Sequence, residues 1–129
     1  MAQTFRKEER LCSRRLIDQL YTEGHRLMAF PFSVQWMTVP SVTPCQVMIV
    51  APKRKFKHAV DRNHVRRLTR ECYRLRKDNL HAFLQEHGIS IVFSLVYIHN
   101  EILPYEQLGH KMDKLLDMLE KDITAELES

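Results

Sequence analysis

The sequence has no apolar run long enough for a secretory-signal core or a membrane span, and its first ten residues are mostly polar and charged. A soluble, cytoplasmic protein is the expectation. The three cysteines, Cys12, Cys45 and Cys72, are odd in number, widely spaced and without a C-x-x-C pair. That argues against a disulfide framework and a zinc knuckle, and each cysteine reads as a small buried or half-buried residue. The seven histidines form no H-x-x-x-H pair on a readable helix, so no protein-borne metal site is expected. Also lacking are repeats, linkers and low-complexity tracts, so residues 1–129 read as one domain. No carboxylate pair, Cys/His pair or Ser/His/Asp set stands out as a catalytic constellation.

What the chain does have is positive charge in one place. Between Lys53 and Lys77 stand eleven lysines and arginines against only Asp61 and Glu71. The segment carries +9 in a chain of net charge +4, so the remainder sums to −5. Residues 1–52 hold +2 and residues 78–129 hold −7. Cations this concentrated repel one another, and a polyanion is the partner that relieves the repulsion. The acidic C-terminal third reads as a solvated surface.

Hydrophobic spacing predicts a helix over Glu9–Glu23, with Gly24 as its stop. Phe32–Val39 and Gln46–Ala51 read as strands that pair as a hairpin around Pro40 and Pro44. Lys53–Val60 is a loop or a short edge strand. Asp61 is the expected N-cap of a helix running to about Asn79. Ile89–Ile98 is the strongest strand, and Gln107–Leu127 an amphipathic helix with Leu108, Met112, Leu115, Leu116, Leu119 and Ile123 inward. This order predicts an α+β two-layer domain, with helices packed on one sheet.

On the basic helix, Arg66, Arg70, Asn63, Arg74 and Arg67 lie within about 40–140° of Arg62, whereas Val65, Leu68, Cys72 and Leu75 lie at about 220–300°. One face is apolar and the other is guanidinium. Arginine grips two phosphate oxygens at once, and Asn63 adds an amide that donates and accepts. A merely solvated face would need acids three or four residues away, and Glu71 is almost the only one. An RNA-binding ribosomal protein, a DNA-binding module and a protein-only metal nuclease remain alternatives at this point. The helix suits phosphates better than base edges, and no helix-turn-helix partner is readable.

The run Lys53-Arg54-Lys55-Phe56-Lys57-His58-Ala59-Val60-Asp61-Arg62-Asn63-His64-Val65-Arg66-Arg67-Leu68-Thr69-Arg70-Glu71 resembles the signature of the bacterial ribonuclease P protein subunit. The Ala-Val, Arg-Asn, Arg-Arg and Arg-Glu pairs all stand at the family's spacing. Arg10-Leu11, the helix to Tyr21, and Gly24 extend the resemblance towards the N-terminus, and the later strand and final helix extend it towards the C-terminus.

The resemblance implies an α+β sandwich of a four-stranded sheet and three helices, a fold shared with the second domain of a small-subunit ribosomal protein. It also implies a left-handed β-α-β crossover, against the usual hand. It further implies that a catalytic RNA, with Mg²⁺ held mainly by RNA and substrate, removes the 5′ leader of precursor tRNA, while the protein binds. Lys53, Arg54, Lys55, Lys57, Arg62, Asn63, Arg66, Arg67, Arg70 and Arg74 would then meet RNA. A cleft between the first helix and the sheet would hold the leader, with Ile17, Tyr21 and Trp36 on its walls; a register one residue different offers Ser33 and Gln35. Ile17 stands where the family usually has Phe, and Lys57 where many members have glycine. No protein partner and no membrane are implied.

Overall fold

The computed structural model describes residues 7–41 and 43–128. A 3-10 turn, Lys7–Glu9, precedes helix α1 (Arg14–Glu23). Strands β1 (His25–Ala29), β2 (Phe32–Thr38) and β3 (Cys45–Val50) follow. Helices α2 (Ala59–Arg76) and α3 (Asp78–His87) lead to β4 (Ile91–Tyr97) and the long helix α4 (Tyr105–Leu127).

The sheet order is β1-β2-β4-β3. β2 does not form the expected hairpin with β3; it pairs antiparallel with β4, and β3 pairs parallel with the other side of β4. Hydrophobicity explains the insertion. Ile91, Val92, Phe93 and Leu95 are all fully buried, and each such side chain contributes about 1.5–3 kcal/mol when removed from water. A strand apolar on both faces belongs between two others, not at an edge. β1 escapes a reading by pattern because it is a five-residue edge strand with only Ala29 buried.

Alternation along β2 and β4 separates two cores. Phe32, Val34, Trp36, Ile91, Phe93 and Leu95 face α2, α3 and α4. Met37 and Val92 point to the opposite face and pack with Leu11 and Leu20 of the α1 region. The helices are therefore not all on one side: α1 lies alone on the second face. All six residues of the expected α4 stripe are buried.

Ser13, not Glu9, starts α1, its hydroxyl accepting from the Leu16 amide at 3.4 Å. Gly24 ends it because a Cβ there would collide with the Leu20 carbonyl. The N-cap of α2 is His58, three residues before the expected Asp61, which instead places its charge in the first turn, where the helix dipole favours it. α2 stops at Arg76, and the expected run to Asn79 divides into a separate α3, so four α-helices are present among the described residues. Gly88 closes α3 at φ +65°, a conformation suited to glycine.

At the break between α2 and α3, Lys77 is buried and its ammonium meets the buried Glu9 carboxylate. Removing either partner alone would strand a charge, a loss of about 3–5 kcal/mol. Beside them the Tyr73 hydroxyl lies 3.5 Å from Cys45 Sγ and 3.2 Å from His81 Nε2. Burial pushes the Cys45 thiol up to about 12 and the Tyr73 phenol well above its usual value, so both stay protonated. Burial, then the Lys77 ammonium, lowers the pKa of His81, against weaker opposing pulls from Glu9 and Asp78.

Two stability predictions arise here. His81 binds a proton less readily in the folded than in the unfolded chain, so its contribution is present above its ordinary value of 6.5 and lost as pH falls below it. Urea unfolding between pH 5 and 8 should therefore show a steeper acid-side loss for the wild type than for His81→Gln; equal pH profiles would refute this. The Thr69 hydroxyl is buried with no hydrogen-bond partner among the described residues. Thr69→Val should consequently stabilise by about 1 kcal/mol in the same assay, and a destabilised variant would count against the desolvation argument.

Candidate nucleic-acid interface

The register of α2 against the core decides which cations reach solvent. Val65, Thr69, Cys72 and Tyr73 are buried, Leu68 is half-buried and Leu75 is exposed. The core face is thus turned by about 60° from the one expected on Val65, Leu68, Cys72 and Leu75. The packing of Tyr73 explains the turn: its ring lies edge-on to Phe93 at 5.8 Å between centroids. This rotation brings Arg62 to the boundary of the core. Its Nη1 donates to the carbonyls of Phe56 and Lys57, both at 2.9 Å. Arg62 therefore fastens the preceding loop to the helix.

That loop carries Lys53, Arg54, Lys55 and Lys57. It is a turn, not an edge strand, with the amides of Lys55 and Phe56 donating to the Pro52 carbonyl at 3.1 and 3.2 Å. Phe56 is buried, its ring 5.9 Å from that of Tyr97. Lys53, Arg54 and Lys57 are exposed and Lys55 half-buried. No described residue other than glycine has a positive φ, so Lys57 occupies backbone that any residue adopts.

Beyond Arg62, the arginines divide into two groups. Arg74 Nε donates to Glu71 at 2.5 Å and Arg76 Nε to Asp113 at 2.9 Å, so both lie beside carboxylates. Arg66 donates to Asn63 Oδ1, which orients both side chains. The guanidinium groups of Arg67 and Arg70 make no hydrogen bond or ion pair among the described residues.

Asn63, Arg66, Arg67 and Arg70 form one wall of a groove of about 430 Å³. Its floor is Val47, Met48 and Ile49 of β3, and its far wall is Arg10, Leu11 and Cys12. Among the described residues, no acidic one lines it. Lys53, Arg54, Lys55, Lys57, Arg62 and Arg74 do not line it either. Arg10 is the cation that pattern reading missed. It is brought here by long-range pairing, through a parallel bridge between Arg10 and Val47 and a 3.0 Å bond from the Leu11 amide to the Val47 carbonyl. Nothing in local spacing signals that contact.

The second face of the sheet has a different character. Ile17 of α1 is half-buried and Tyr21 is 48% exposed. Trp36 is not on this face. It is 1% exposed, packs against the tilted ring of His25 at 4.7 Å between centroids and donates from Nε1 to Asp122 of α4 at 2.7 Å. Its assignment to the cleft wall is corrected by strand alternation. The same alternation puts Ser33 and Gln35 on the α1 side, both half-buried, opposite Val96 and Ser94 of β4. Arg26 and Met28 of β1 continue the row.

Among the described residues, no group of three or more His, Cys, Asp or Glu side chains is placed to hold a metal ion. No helix among them is long and apolar enough to cross a membrane.

Comparison with known proteins gives this geometry its context. The family model described as Ribonuclease P matches residues 5–120. The ribonuclease P protein component of Porphyromonas gingivalis is 31% identical over 112 residues, covering 85% of this chain and 82% of that one. That of Petrotoga mobilis is 37% identical over 75 residues, covering 58% and 62%. The fold is that of the Staphylococcus aureus RNase P protein (TM-score 0.69, 17% identity, 86% and 94% covered) and of the Thermotoga maritima RNase P protein (TM-score 0.63, 22% identity, 84% and 94% covered). With an arginine-walled groove over β3 and a family match spanning most of its length, this chain belongs to the ribonuclease P protein family, the protein component of the ribonucleoprotein endonuclease that processes tRNA 5′ ends.

Proposed function

We propose that this chain meets the RNase P RNA through the groove wall of α2 and the loop before it, and meets the 5′ leader of precursor tRNA on the α1 face of the sheet. The observation that carries the reading is the groove itself: among the described residues, four guanidiniums and one amide line it, and no carboxylate does. Such a surface is self-repelling until phosphates neutralise it. Arg67 and Arg70 act as phosphate grippers, and Asn63 and Arg66, held together, as an oriented donor pair. Lys53, Arg54 and Lys57 extend the field from a loop that Arg62 keeps in place. Arg74 contributes less than its neighbours, because Glu71 already offsets its charge.

On the opposite face, Tyr21 offers an exposed ring at the rim of a surface made of Ser33, Gln35, Arg26 and Met28. Stacking on an aromatic ring is tolerant of sequence, and the serine and glutamine can bond to any nucleotide. This suits a single strand whose sequence varies. The chemistry falls to the RNA, with Mg²⁺ held by RNA and substrate. The protein lowers the repulsion between the two polyanions, and a cytoplasmic location follows from that work.

Two measurements test the reading. Replacing Arg67 and Arg70 by alanine should flatten the salt dependence of binding to the cognate RNase P RNA by about 0.7–0.9 log units per lost phosphate contact, and an unchanged slope would remove α2 from the interface. In reconstituted holoenzyme at low Mg²⁺, the wild-type protein should raise precursor-tRNA cleavage. Tyr21→Ala should reduce the preference for leader-bearing over mature tRNA while leaving affinity for the catalytic RNA intact. If that preference survives, the leader lies elsewhere.

A further inference from the structure

We infer that Arg10 is an additional phosphate-contacting residue, and that the buried Glu9–Lys77 pair is a latch that positions it across the groove from α2. The inference rests on the proposed RNA-binding reading of the groove. Arg10 is exposed and lines the wall facing Asn63, Arg66, Arg67 and Arg70. It converts a one-sided basic helix into a two-sided channel, so that a strand lying over β3 meets guanidinium on both flanks.

The segment that carries Arg10 has little of its own to hold it. The 3-10 turn before it is three residues long, and α1 does not begin until Arg14. Its placement comes from ties to the rest of the fold. The Glu9 carboxylate is buried against the Lys77 ammonium at the α2–α3 junction. Gln46 Nε2 donates to the Glu8 carbonyl at 2.9 Å, and the Leu11 amide to Val47. Arg10 lies directly between the buried carboxylate and the backbone tie at Leu11. Lys77 follows α2 in sequence, so one ion pair connects the two walls of the groove. A buried charge pair is a costly way to gain stability but an effective way to fix one geometry. Here the geometry it fixes is the separation of facing arginines. Glu9 and Lys77 are thus positioning residues, acting through Arg10.

The test is a double-mutant cycle on binding to the cognate RNase P RNA, titrated with salt. Arg10→Ala should reduce the salt slope by about 0.7–0.9 log units, as one lost phosphate contact does. Glu9→Gln should weaken binding when Arg10 is present and have little effect in the Arg10→Ala background, a coupling of about twofold or more. A purely structural role for Glu9 would weaken binding equally in both backgrounds and would overturn the latch. Should Glu9→Gln fail to melt cooperatively, Gln46→Ala loosens the same segment without leaving a buried charge, and the same coupling is expected. Arg67→Ala serves as the reference. If its slope falls while that of Arg10→Ala does not, the inference fails and the RNA-binding reading stands. If neither slope changes, the reading itself fails.

Discussion

Burial of β4 on both faces is the constraint on which the rest of this molecule depends. Ile91, Phe93 and Leu95 supply the core under α2, α3 and α4, while Val92 supplies the smaller one under α1. A strand of this kind must be flanked on both edges, and β2 and β3 take those places. β3 then becomes an edge strand, and its outer side accepts the short segment around Arg10. The floor of the basic groove exists because the most hydrophobic strand claimed the centre.

A second balance is struck along α2. Tyr73 and Thr69 turn the helix so that Arg62 reaches backbone carbonyls while Asn63, Arg67 and Arg70 remain on the groove side. The fold uses acids to offset some cations, at Arg74 and Arg76, and places none of the described acids in the groove. Charge is thus sorted by position within a single helix. The repulsion that remains is concentrated along the groove, where only a negatively charged partner would relieve it.

Legibility in the sequence followed the range of the interactions. The α4 stripe, the strand character of β2, β3 and β4, and the cationic face of α2 are local patterns, and they were readable. Strand order was not, because the choice between a β2–β3 hairpin and insertion of β4 is made by total burial. β1 was too short and too exposed to show a period. The break at Lys77 was hidden because no local pattern marks it, and the residue that Lys77 pairs with, Glu9, lies 68 residues away. Leu75 looked like core because helical spacing gives angles but not the origin of rotation, which Tyr73 sets. Trp36 looked like a candidate ligand wall because aromaticity carries no information about strand face; its indole nitrogen is satisfied by Asp122 instead. Arg10 was noticed only as part of the resemblance at the N-terminus, and nothing in the sequence marked its place beside β3.

The tie from Arg62 to the carbonyls of Phe56 and Lys57 has a consequence for how tightly a partner is held. It welds the lysine-bearing turn to the helix, so the spacing between these cations is set before any encounter. Ordering entropy is then settled during folding and need not be charged against association. A ruler of fixed charge intervals favours a polynucleotide already folded to the same intervals and penalises one that must be bent to fit. Selectivity for a particular RNA shape can arise in this way from the rigidity of one turn, with no base ever being read.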